Sequence, residues 1–165
     1  MTTKMRPIIS PVTRSPVRRP VSRGEFMFSE GVSEPAEFLI NGNFNSAIAG
    51  EWSFAPAWSQ VSNAMDEDGG GGNALQQTFG PLTAPLISGR SYVLNLSLVN
   101  PGGDNFRVML SVNGASLQVV SDSTSSVAAL TFVATAAHTR IEVINTDASF
   151  SGTATLDNLS LTPAP

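Results

Sequence analysis

Between Ser91 and Val99 the chain reads SYVLNLSLV. Tyr92, Leu94, Leu96 and Leu98 fall on one side of an extended backbone, and Asn95 and Ser97 fall on the other. A helix would smear this order around its circumference. A strand with one buried face requires it, because successive side chains point to opposite faces of a sheet. The next such stretch, FRVMLSV, turns Phe106, Val108, Leu110 and Val112 inward and Arg107 and Ser111 outward. Asn113-Gly114 follows at once. That pair suits a type I′ hairpin turn, whose two central residues need positive φ. SLQVVS is then the returning strand.

AALTFVA, TRIEVIN and ATLDNLSL repeat the pattern toward the C-terminus, and EFLI, EWSF, WSQVSN and ALQQTF supply shorter candidates before it. Roughly ten short strands at regular spacing, with no amphipathic helix, predict an all-β fold. We expect a two-sheet antiparallel jelly-roll β-sandwich over residues 37–165, preceded by an extended Pro/Arg-rich N-terminal arm over residues 1–36. The acidic and glycine-rich run Asp66–Asn73, DEDGGGGN, reads as a mobile loop.

Charge separates the two parts. Residues 1–24 carry six basic residues and no acid. Residues 25–165 hold three basic residues against thirteen acids, a formal −10. The arm repeats Pro-Val-x-Arg three times: Pro11, Val12 and Arg14; Pro16, Val17, Arg18 and Arg19; Pro20, Val21 and Arg23. Proline fixes φ and removes backbone donors, so this spacing favours an extended or polyproline-II segment. Such a segment loses little entropy on docking. Its arginines, from Arg6 onward, offer bidentate pairing to carboxylates, and its valines offer small anchors. A nucleic-acid role is disfavoured: no aromatic residue precedes Phe26 to stack on a base, and the acidic remainder would be repelled. A plain disordered linker remains the bland alternative.

The chemistry of catalysis is missing. No cysteine exists, which removes disulfides, thiolate metal sites and thiol catalysis. His138 is the only histidine and reads as an exposed turn residue with no triad around it. Asp66, Glu67 and Asp68 lead into glycines, the opposite of the rigid carboxylate pair that glycoside hydrolysis needs. The expectation is a protein that is not an enzyme. No signal peptide and no membrane-inserting segment are evident.

The order of landmarks FLINGNFN, GEWSF, a further tryptophan, NALQQTFGPLTAPLISGRSYVLNLSL and ATLDNLSL resembles the jelly-roll carbohydrate-binding modules of the xylan- and glucan-binding type, and the related domains of bacteriophage tail and virion proteins. That resemblance spans about residues 37–162. It implies a structural calcium ion at Asn41, Asn43, Asn45 and Asp157. The alternative is that the asparagines shape a turn and Asp157 accepts backbone hydrogen bonds at a bulge. It also implies glycan binding on an exposed aromatic face. Trp52 matches the family tryptophan that packs inside, and Tyr92 is in phase with core leucines. Trp58 is therefore the one candidate platform, with a core position as its rival.

Together these features lead to an expected role. The chain reads as a bacteriophage virion protein, of decoration or fibre type, assembled in the host cytoplasm and displayed on the virion surface. Its arm anchors it to capsid or tail proteins, its jelly roll is available to host-surface polysaccharide, and several copies assemble together, a trimer being the guess. The rival is a free-standing carbohydrate-binding module associated with a secreted glycoside hydrolase.

Overall fold

The alternating segments of the sequence become ten strands in the computed structural model, which describes residues 34–69, 72, 74–79, 83–100, 103–112, 116–123, 129–147 and 153–165. All of them belong to the unit Ser33–Pro165. The arm residues Arg6 to Arg23 and the Asn113-Gly114 turn lie outside the described residues. The strands are β1 (Trp52–Phe54), β2 (Trp58–Val61), β3 (Ala64–Asp68), β4 (Ala74–Thr78), β5 (Ser91–Val99), β6 (Phe106–Val112), β7 (Ser116–Ser123), β8 (Ala129–Val133), β9 (Arg140–Asn145) and β10 (Thr153–Pro163). They form two five-stranded sheets, in the orders β1-β4-β9-β6-β7 and β2-β3-β10-β5-β8. Every pairing is antiparallel. No helix occurs among the described residues. This is the expected jelly-roll sandwich.

Strand β5 shows why the fold forms. Tyr92, Leu94, Leu96 and Leu98 are at most 4% exposed, whereas Val93, Asn95 and Ser97 remain accessible. Its inward face meets the inward face of the other sheet, where Leu110, Ile141 and Val143 are at most 1% exposed. Burying one such side chain fully is worth about 1.5–3 kcal/mol, so the two alternating faces together supply the main driving force.

Four expectations need correction. First, Asp66, Glu67 and Asp68 are not in a loop. They occupy β3, and period two turns Glu67 inward, fully buried, while Asp68 faces solvent. Pairing with β2 on one side and β10 on the other holds them. Second, His138 is buried, 1% exposed. Its Nε2 lies 2.9 Å from Gln118 Oε1 and 3.3 Å from Thr135 Oγ1. Gln118 also donates to Val133 O and accepts from the Thr135 amide, so it bridges β7 to the end of β8. Third, Met109 and Ser111, on the opposite face of β6 from Leu110, are themselves buried, while Val112 is only half-buried. Ser111 Oγ accepts from Arg140 Nε, and a register shift after Val108 puts an extra residue in β7.

Fourth, the folded part starts before residue 37. Glu34 accepts a 2.6 Å hydrogen bond from the Tyr92 hydroxyl and pairs with Arg90 at 2.8 Å. Burial, then the bond to Glu34, pushes the Tyr92 hydroxyl up to about 12. The expected strand EFLI is an irregular segment instead. Its backbone-to-backbone link to the sheet is the bond from Phe38 N to Leu161 O.

Candidate functional site

Residues 37–46 follow no ladder, so side chains satisfy their backbone. Glu37 Oε1 accepts from the amides of Leu39 and Leu161. Burial pushes this carboxyl up, opposed by those same amides. Gln77, inside the sandwich, accepts from Ile40 N and donates to Ile40 O, and Trp52 Nε1 donates to the same carbonyl. Gln60 donates to the carbonyls of Phe44 and Ser46. The segment is thus stapled to both sheets by amide side chains rather than by strand pairing.

Two turns with left-handed residues then meet. Asn41 and Phe44 have φ of 52° and 50°, and Asn158 has φ of 54°. Asparagine tolerates this region because its short polar side chain bonds locally. Asn158 sits in the bulge of β10 between Asp157 and Ser160. The two turns are joined by Leu159 N donating to Gly42 O at 2.8 Å. Only glycine fits at position 42, since a Cβ there would overlap the Leu159 carbonyl oxygen.

Between these turns lies a pocket of about 420 Å³, lined by Glu37, Leu39, Asn41, Gly42, Asn43, Asn158, Leu159 and Ser160. Its volume falls in the range of small-molecule sites. Its lining is rich in amides, which both donate and accept, with the flanks of two leucines between them. Such a surface can hydrogen-bond polyhydroxylated compounds. It has no nucleophile and base in contact.

The residues singled out in the sequence divide here. Asn41 and Asn43 line the pocket, joined by Asn158, which the sequence did not single out. A left-handed Asn beside Asp157 in the "LDNL" stretch was the available signal. Asn45 is exposed and its amide donates to Asn43 Oδ1. Asn41 Oδ1 accepts from Ser46 N and its Nδ2 donates to Ser46 O and Glu51. Asp157 accepts from both the amide and the side chain of Asn158. These oxygens close turns, and only one of the four residues is a carboxylate. The set therefore suits turn and bulge formation better than a six- to eight-oxygen calcium cage. Trp58 is not a platform: it is 2% exposed, on the inner face of β2, with its ring edge-on to Phe106 at 6.3 Å. Trp52 is equally buried, stacked at a tilt against Phe44.

A second polar surface covers the outer face of the sheet containing β6 and β9. Register aligns Ser53, Gln76, Glu142, Met109 and Val119 in one row across it. Arg140 pairs with Glu142 at 3.2 Å, and Arg107 with Asp122 at 2.6 Å. The row holds no aromatic ring.

Similarity to solved structures agrees with the fold. The chain matches a carbohydrate-binding module of family 4 at 16% identity and a TM-score of 0.50, covering 69% of this chain and 95% of that one. It matches a variant of a family 29 carbohydrate-binding module at 12% identity and a TM-score of 0.51, covering 76% and 88%. The adhesin domain K2 of Lys-gingipain matches at 19% identity and a TM-score of 0.50, covering 74% and 97%. No protein-family model matches the sequence, and no curated protein does. The chain has the jelly-roll fold seen in these carbohydrate-binding modules.

Proposed function

We propose that the folded part is a non-catalytic glycan-recognition module, and that it takes a sugar residue in the pocket between the Asn41–Asn43 turn and the β10 bulge. The convergence of Asn43, Asn158 and Ser160 on an open pocket of about 420 Å³ carries this reading. Sugar hydroxyls need paired donors and acceptors, and amides supply both on rigid turns. Trp52, Trp58 and Tyr92 are all buried and no aromatic ring lines the pocket, so affinity is expected to be weak and dominated by hydrogen bonds.

Native-gel retardation in soluble xylan, mixed-linkage glucan or glucomannan tests this. Retardation by at least one of these is expected. Asn158→Gly, which keeps the left-handed backbone and removes the amide, and Asn43→Ala should each weaken it by roughly tenfold, the equivalent of about 1.4 kcal/mol. If both variants are retarded like the wild type while Arg140→Ala is not, the site lies on the sheet face and the pocket assignment is wrong.

The repeated basic arm supports a second element of the proposal. It docks the module to a partner protein with an acidic, extended groove, in a virion shell or tail. Several copies then display their heads outward. The support is the threefold Pro-Val-x-Arg unit and its charge, opposite to that of the head. Deleting residues 1–24 should leave the melting temperature of the head unchanged and abolish incorporation into particles. Normal packaging of the truncated chain would refute the anchor.

A further inference from the structure

Glu37 lines the pocket between the opening turn and the β10 bulge. Among the described residues of that lining, it is the only charged one. Its Oε1 accepts from the Leu39 amide and from the Leu161 amide, each at 2.8 Å. Those two bonds tie the opening segment to β10 and hold the carboxylate in place. Burial pushes the carboxyl up, as it does for a negative charge partly withdrawn from water. Interactions with such a charge are screened less than those on an open surface.

The polar groups around Glu37 are not equally available to a ligand. Asn41 is committed to its own turn: Oδ1 accepts from Ser46 N, and Nδ2 donates to Ser46 O and, at 3.0 Å, to Glu51 Oε1. Asn43 Oδ1 accepts from Asn45 N. Asn158 Nδ2 donates to Asp157 Oδ2 at 3.0 Å. Ser160 Oγ accepts from Asn95 Nδ2 at 3.0 Å. Two of the amides that line the pocket thus give a donor to a carboxylate outside its lining, Glu51 or Asp157. The pattern is one carboxylate in the lining and two a single hydrogen bond behind it.

We propose that this pocket selects sugars by charge, with Glu37 as the specificity-determining residue: it takes an amino sugar whose ammonium group pairs with Glu37, and it rejects uronates. The inference rests on the reading of the pocket as a sugar site. An ammonium carries three donors and no acceptor, so it matches a carboxylate and a neighbouring amide carbonyl together. A hydrogen bond between ionised partners is roughly twice as strong as a neutral one. A sugar hydroxyl in the same position donates only once. A uronate would bring a second carboxylate against Glu37, and like charges at close range disfavour each other. β-1,4-linked glucosamine and β-1,4-linked glucose differ only at C2, an amine in one and a hydroxyl in the other. That pair separates charge from shape.

The test is titration of the ¹⁵N-labelled full chain at about pH 6, where a sugar amine is protonated. The probes are the β-1,4-linked tetramers of glucosamine, glucose and glucuronate, and the side-chain amides of Asn43 and Asn158 report binding. The glucosamine tetramer should bind roughly tenfold more tightly than the glucose tetramer, and the glucuronate tetramer should cause no shifts. Glu37→Gln keeps an oxygen for the Leu39 and Leu161 amides and removes the charge. It should bring the two affinities to within about twofold of each other. Asp122→Asn, at an exposed acid on β7, should keep the wild-type preference, which separates Glu37 from general attraction to an acidic head. If Glu37→Gln does not fold, the backbone amides of Leu39 and Leu161 carry the comparison in the wild type: they should shift with the glucosamine tetramer and stay still with the glucose tetramer. Equal affinity for those two, with Asn43 and Asn158 shifting in both, overturns charge selection and leaves the pocket reading standing. A preference that survives Glu37→Gln, one that is lost in Asp122→Asn, or tighter binding of the glucuronate tetramer also overturns it. If no tetramer shifts Asn43 or Asn158, the pocket reading itself fails and this inference with it.

Discussion

Replacing Gly42 by alanine tests the junction on which the pocket is built. The new methyl carbon would overlap the Leu159 carbonyl oxygen and stand 3.0 Å from its carbonyl carbon. Both are backbone atoms, so no side-chain rotation relieves the clash. The two turns must separate, and the bond from Leu159 N to Gly42 O must lengthen or break. Overpacking of this kind costs about 1–3 kcal/mol, and the lost bond adds about 0.5–1.5 kcal/mol. Leu39 and Leu159, now 6% and 4% exposed, would also be partly opened. For a domain of this size a total of about 2–4 kcal/mol lowers the melting temperature by roughly 5–15 °C. Calorimetry or circular dichroism on the purified variant reads this directly. Asn43→Ala, at an exposed neighbour, is the control and should melt within about 2 °C of the wild type, as surface substitutions do. A Gly42→Ala protein that melts with the wild type would show that the opening turn does not rest on the β10 bulge.

Two further predictions follow from buried groups. Burial lowers the pKa of His138. Its folded form resists the proton that the unfolded chain accepts near 6.5, so its contribution to stability is complete above about pH 6.5 and is lost as pH falls through the window below. Urea unfolding at pH 7.5 and pH 5 should show wild type losing more stability than His138→Gln, and equal losses would contradict the burial. Trp52 and Trp58 are the only tryptophans and are each 2% exposed. Their fluorescence should be blue-shifted and poorly quenched by acrylamide, and Trp58→Ala should cost about 3–5 kcal/mol as a core truncation; ready quenching would refute this.

Strand identity was legible where one face is buried and the other wet. Tyr92 to Leu98 is the clear case, since alternation alone predicts which side chains the core receives. The same rule, applied to Asp66-Glu67-Asp68, would have turned Glu67 inward. Charge and the adjoining glycines hid a strand there, because local composition cannot report that β2 and β10 flank it. His138 was misjudged for a related reason. Its main partner, Gln118, is twenty residues earlier on an edge strand, and that contact exists only after the sheets have packed. Trp58 illustrates the limit for function. A tryptophan near the start of a sandwich strand can face either way, and the phase is set by pairing with Glu67, not by neighbouring residues. The pocket was half legible. Asn41 and Asn43 stood out as candidate calcium ligands, with turn formation as the alternative, but Asn158 and Ser160 reach them only through the β10 bulge.

Recognition of a glycan in this pocket is most directly tested by following the side-chain amide resonances of the ¹⁵N-labelled chain during titration with xylan- or glucan-derived oligosaccharides. The account predicts saturable shifts of Asn43 and Asn158, together with the Leu159 and Ser160 backbone amides, and silence across β6 and β9. Shifts confined to Arg107, Arg140 and their sheet face, or no shifts with any oligosaccharide tested, would contradict it.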